Sequence, residues 1–236
     1  MNLEGCKFDF TTDTINIFMF LKDKSGSMES YESTMEMALS DFKKDFATFE
    51  DKGSVAISNS SFDEYIDLEK FLSIEEFSTS YSANGGTQIY NSIVVAADYT
   101  IEYYKEIIKR TNTTPRVTFF VFTDGEDNDY DDKSKIKKAS NAINKLKEIG
   151  ATCVFVAFGN AAERQDGERL GFECTRKIKE KNELRRLMGK ELSKSCKEQS
   201  KSAYSLGANF FSKAVEDEKL NSVEEQAIND DDFFNF

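Results

Sequence analysis

The 236-residue chain contains no histidine and no tryptophan, and proline occurs once. Without imidazole it cannot build a Ser-His-Asp or Cys-His nucleophile, a histidine general base or a His-ligated zinc site. Positive charge is in deficit: 31 Lys and Arg face 43 Asp and Glu, a formal net charge of −12. A binder of phosphate backbones needs a basic surface, so nucleic acid is not expected as a partner. Long apolar runs are missing too. The longest uninterrupted aliphatic or aromatic stretch, Ile17 to Leu21, is five residues, against the ~20 of a membrane-crossing helix. No membrane association is expected.

Cysteine is sparse: Cys6, Cys153, Cys174 and Cys196, with no C-x-x-C pair. Residues 1–14 carry Glu4, Asp9 and Asp13 and no basic segment leading into an apolar one, so no secretory signal is read. Scattered cysteines in such a chain point to reduced thiols and a cytoplasmic location. Cys153, inside an apolar run, is expected to be a buried, inert thiol. The N-x-[ST] triplets at Asn59 and Asn112 mean nothing without a secretory route.

What the chain does have is alternation. Ile15–Leu21, Ser54–Asn59, Val117–Thr123 and Thr152–Phe158 read as strands. Three of them are near-continuous runs of Val, Ile and Phe, as in strands covered on both faces. A further strand is expected near Tyr65–Leu68, in a hairpin with Ser54–Asn59. Helical periodicity fills the gaps. Met35, Leu39, Phe42, Phe46 and Phe49 step by four and three along Ser30–Glu50, which places them on one face. Gln88–Arg110 and Lys133–Ile149 repeat the pattern, the second closed by Gly150. Beyond Phe158 a helix is expected around Ala161–Leu170, a short strand near Thr175–Glu180 and a helix from Asn182 to Ser202. This order predicts an α/β fold: a doubly wound, mostly parallel sheet with helices on both faces and one antiparallel edge strand. Residues 1–14 form a lead-in, 15–215 the domain and 216–236 an acidic tail. The tail holds eight carboxylates and one Lys, and it reads as disordered.

Three short stretches carry chemistry. Asp23-Lys24-Ser25-Gly26-Ser27 follows the first strand, Gly85-Gly86-Thr87 opens a helix, and Thr123-Asp124-Gly125 ends a strand. Open parallel sheets bind ligands outside the carboxyl ends of their strands, where these loops are expected to converge. The donors are hard oxygens with neither thiolate nor imidazole, which selects Mg²⁺, Mn²⁺ or Ca²⁺ over zinc or copper. Mg²⁺ fits best, because it tolerates few carboxylates and keeps open positions. One such position could accept a carboxylate from another molecule. Alone, Asp23–Ser27 is also what a helix N-cap looks like. The run Glu126–Asp132 lacks the Gly and Glu of an EF-hand loop and reads as a solvated acidic rim.

Asp23-x-Ser25-x-Ser27, then Thr87, then Asp124 in a T-D-G turn, resembles the metal-ion-dependent adhesion site (MIDAS) of von Willebrand factor A (vWA) domains. The resemblance covers roughly Ile15 to Ser202 and is nearest to stand-alone soluble bacterial and phage members. It implies a Rossmann-like vWA fold and a metal set of Asp23, Ser25, Ser27, Thr87 and Asp124. Hydroxyls would bind the ion directly, with the two carboxylates acting largely through water. It further implies a non-enzymatic, magnesium-dependent protein-binding module whose partner supplies an Asp or Glu. Two alternatives stand beside it. One is a Mg²⁺-dependent phosphoryl-transfer or hydrolytic enzyme using the same oxygens, with Lys22 and Lys24 as its only candidate cations. The other is a phage structural or assembly component. The tail is read in three ways: as solubilising, as a recruitment peptide ending in acidic and aromatic residues, or as a self-inhibitor supplying Asp230, Asp231 or Asp232 to the ion.

Overall fold

The computed structural model describes residues 14–49, 53–125, 128–129, 131–158, 166–178 and 180–201. The tail, the stretch 161–165 and the segment 209–215 lie outside them. A seven-stranded sheet forms the centre. Its strands are β1 (Ile15–Asp23), β2 (Ser54–Ser58), β3 (Ser61–Phe62), β4 (Ile66–Asp67), β5 (Arg116–Thr123), β6 (Thr152–Phe158) and β7 (Cys174–Ile178). The order is β4-β3-β1-β5-β6-β7, with β2 also paired to β1. All pairings are parallel except β3 with β4, which is the expected antiparallel edge.

The alternating faces of the central strands explain why they are apolar throughout. Ile15, Ile17, Met19 and Leu21 of β1 enter one core, as do Val117, Phe119 and Val121 of β5. Phe18 and Phe20, with Phe120 and Phe122, enter the other. Side chains alternate with period two, so a strand buried on both sides must be apolar at every position. Helices α2 (Ile89–Thr111) and α3 (Lys133–Glu148) pack on the first core. Helix α1 (Glu32–Ala47) covers the second together with α5 (Lys181–Arg186) and α6 (Ser193–Lys201), while the one-turn α4 (Asp166–Arg169) leads into β7. The stripe Met35, Leu39, Phe42 and Phe46 is fully buried. No helix among the described residues is long and apolar enough to cross a membrane. Cys153, Cys174 and Cys196 are buried.

Two expectations need correcting in detail. The strand at Ile66–Asp67 pairs with Ser61–Phe62, not with Ser54–Ser58. β2 lies parallel to β1, and its outer edge meets Leu72 through an isolated bridge at Ile57. The chain breaks at Ser58–Ser60, where the Ser58 hydroxyl donates to the Glu69 carbonyl and bonds the Ser60 hydroxyl. Past this break, β3 resumes along the same edge of β1, opposite Lys22 and Asp23. The last helix is not uniform either. Between α5 and α6 a π-helical stretch spans Leu187–Leu192. Leu184, Met188, Leu192 and Cys196 are all buried at steps of four. An α-helix of 3.6 residues per turn drifts off such a repeat, and a wider turn restores it.

Candidate metal site

Three loops meet at the carboxyl end of β1. Asp23 closes that strand and is fully buried. Its Oδ1 accepts the Ser25 amide at 2.8 Å, and its Oδ2 accepts the Thr123 hydroxyl at 2.6 Å. A turn of 3₁₀-helix over Gly26–Tyr31 then leads into α1. Ser25 stands at its N-cap position, but the hydroxyl caps nothing there. It lies 3.1 Å from the Ser27 hydroxyl, which donates to Asp124 Oδ1 at 2.7 Å. The capping alternative therefore does not account for the Ser25 side chain.

Backbone bonds set the loops against one another. The Gly26 amide donates to the Gly85 carbonyl at 3.0 Å, and the Asn84 amide donates to the Lys24 carbonyl at 2.5 Å. Gly85 has φ +93°, a conformation in which a side chain is strained. Thr87 enters from this loop, 7% exposed. A Cβ placed on Gly125 would lie 3.6 Å from Ser27 Oγ, 3.6 Å from Thr87 Oγ1 and 3.8 Å from Asp23 Oδ2. Asp23, Ser27 and Thr87 thus meet beside Gly125, and Ser25 and Asp124 join them through the Ser27 hydroxyl, so all five sequence-derived residues are brought together.

The donors suit a hard divalent cation: two carboxylates and three hydroxyls, graded from buried Asp23 and Ser25 to exposed Ser27. Among the described residues no group of three or more His, Cys, Asp or Glu side chains gathers as a metal cluster. A site here rests on hydroxyls as much as on charge. Burial pushes the Asp23 carboxyl up to about 6, and the neighbouring Asp124 charge adds to this. The bonds from Ser25 and Thr123 work in the opposite direction.

The contacts that Thr123, Asn128, Tyr81 and Lys22 make around the cluster are not legible in the sequence. Thr123 belongs to the T-D-G turn, yet nothing in the sequence assigns its hydroxyl to Asp23. Asn128 lies in the acidic run; its amide donates to the Thr87 carbonyl at 2.8 Å, and its Oδ1 accepts the Thr87 amide at 3.4 Å. In the same run Asp132 caps α3, accepting the amides of Ser134 and Lys135, and Asp129 pairs with Lys135. These three are working residues of the fold rather than a merely solvated rim. Tyr81, from a loop with no periodic signal, donates its hydroxyl to the Asp23 carbonyl. Lys22 is 2% exposed, with its ammonium 5.5 Å from the centre of the Tyr81 ring. Burial lowers its pKa to about 8.

No family model matches this sequence, and neither does any curated protein. Solved structures do match in fold. The pilus adhesin SpaC of Lactobacillus rhamnosus GG superposes with a TM-score of 0.61 at 11% identity, over 79% of this chain and 30% of the adhesin. The PilB minor pilin of Streptococcus sanguinis gives 0.52 at 10% identity, over 79% of this chain and 62% of the pilin. Proximal thread matrix protein 1 of the mussel byssus gives 0.51 at 16% identity, over 78% of this chain and 46% of that protein. The likeness is one of fold. The chain spans less than two thirds of the length of each of these three proteins. The strand order and the two helical layers are consistent with a Rossmann-like vWA fold.

Proposed function

We propose that this chain is a protein-binding module whose contact runs through a divalent cation. Mg²⁺ is the preferred ion, with Mn²⁺ or Ca²⁺ as substitutes. Ser25, Ser27 and Thr87 hold it through hydroxyls, and Asp23 and Asp124 hold it through their carboxylates or intervening waters. The supporting observation is the convergence of five oxygen-bearing side chains from three loops around Gly125. Few direct charges leave such an ion electrophilic, so it attracts an Asp or Glu from a partner protein. When bound, the cation would supply a Lewis-acidic contact for that carboxylate, and Asp23, Ser25, Ser27, Thr87 and Asp124 would hold it in place.

The hydrolytic alternative has weaker support. Lys24 lies 3.6 Å from Asp63 and 3.8 Å from Asp67, and Lys22 sits against Tyr81, so neither is engaged with the cluster. The scattered cysteine spacing, with no C-x-x-C pair, makes a reducing cytoplasm part of this reading. Calorimetric titration with Mg²⁺ and Mn²⁺ tests the site. The wild type should take up one ion, and Asp23→Ala should take up none. Heat from neither ion, or equal heat from both proteins, overturns the reading. A pull-down in Mg²⁺ against EDTA then tests the partner: proteins retained equally in both are not held by the ion.

A further inference from the structure

Beside the cluster, a cleft of about 410 Å³ opens between the end of β1 and the 69–82 segment. Lys22 lines it, although this side chain is 2% exposed. Among the described residues no carboxylate comes within ion-pairing distance of its ammonium, and no hydrogen bond holds it. Its near neighbour is the Tyr81 ring. A buried ammonium without a partner is costly, and folds rarely keep one that serves only structure.

The other groups on the cleft wall are already spoken for or are neutral donors. Glu36 accepts the Tyr81 amide at 3.1 Å. Asp67 faces Lys24 at 3.8 Å. Glu69 is half-buried; its carboxylate attracts Lys22 from beyond bonding reach. Ser61, Ser80 and Ser82 also line the cleft, and each carries a hydroxyl. We propose that this cleft is a carboxylate-binding subsite in which Lys22 supplies the cation and the serines supply hydrogen bonds. Three acidic neighbours disfavour a polyanion and select a singly charged group. The subsite stands apart from the metal reading, because none of its groups belongs to the five oxygens. It is tied to them mechanically: Tyr81, under the Lys22 ammonium, also donates to the Asp23 carbonyl.

The test keeps EDTA present throughout, so that no metal-bound carboxylate contributes. The full chain, ¹³C-labelled at lysine, is titrated with acetate and with N-acetyl-glutamate amide against chloride at matched ionic strength, and with phosphate for comparison. The Lys22 signal is assigned by its loss in Lys22→Met. Both carboxylates should shift it saturably in the wild type. A response to acetate alone still supports the subsite and makes its occupant a small free acid. Lys22→Met should raise the melting temperature in chloride, because it removes an unpartnered charge, and should abolish the stabilisation that carboxylates give. Ser80→Ala with Ser82→Ala should weaken the response several-fold while Lys22 stays in place. The proposal fails if no carboxylate shifts Lys22, if phosphate alone does, or if Lys22→Met melts lower than wild type or does not fold.

Discussion

A methyl group at position 125 would sit at ordinary contact distance from an oxygen of three of the five side chains of the cluster. The φ of Gly125 is not positive, so alanine fits the backbone there. Gly125→Ala should therefore fold as well as the wild type, or slightly better by about 0.4–1 kcal/mol through the unfolded chain. It should nonetheless bind Mg²⁺ more weakly, because its methyl crowds the space an ion needs; calorimetry beside a thermal melt separates the two effects. Asn128 acts one step further out. Asn128→Ala frees the Thr87 amide from the Asn128 side chain while the backbone bond to the Thr87 carbonyl stays, and metal affinity should drop about 10- to 100-fold, as when outer partners of ligands are lost. At this scale the sequence was a good guide to which oxygens meet, because D-x-S-x-S and T-D-G are local. It was a poor guide to Thr123, Asn128, Tyr81 and Lys22. Their roles depend on contacts across the sheet, and Thr123 touches Asp23 at a separation of 100 residues.

Among the elements, β1 and α1 make the face behind the site. The Phe20 ring packs edge-on against Phe42, Phe77, Phe120 and Phe122, with centroids 5.1–5.9 Å apart. Phe20→Ala should cost about 3–5 kcal/mol of stability, read from denaturant melts. A second link joins α1 to the C-terminal helices through Asp45, which accepts from Ser193 and pairs with Lys197 at 2.8 Å. Burial raises the Asp45 carboxyl, but the Ser193 and Lys197 contacts outweigh it and hold it below its ordinary range. Its ionised form is thus favoured in the fold. That stability is present above about pH 4 and is lost as the pH falls through the folded value. Asp45→Asn should melt lower than wild type at pH 7, by under about 1 kcal/mol for so exposed a pair, and the gap should close as the pH falls through the lowered folded value. Near-continuous apolar runs and apolar steps of three and four made these strands and helices legible in advance. The two-residue strands β3 and β4 and the π-helical stretch were not, because residues so few carry no period and the wide turn appears only once α1 is packed beneath it.

For the whole molecule, the sheet divides the interior into two cores, and the cluster sits on the rim common to both. Anything that binds the folded cluster and not the unfolded chain stabilises the entire domain. Mg²⁺ at 100 times its dissociation constant should add about 2.7 kcal/mol, removable with EDTA, as a melt in each buffer would report. The thiols deep in those cores should be silent in the native state. Burial pushes Cys153 up to about 12 and Cys196 higher still, so neither offers a thiolate near neutral pH. Mass spectrometry after brief alkylation should find both unmodified until denaturant is added. The loops at the rim are moored by peptide groups: Lys24 to Phe62, Gly26 to Gly85, Asn84 to Lys24, Asn128 to Thr87. Every residue except proline brings the same amide and carbonyl, so mutation can rewrite most side chains along these moorings without moving them. Such a frame leaves almost no trace in an alignment, which is how a shared chain path can persist where only a tenth of the letters agree.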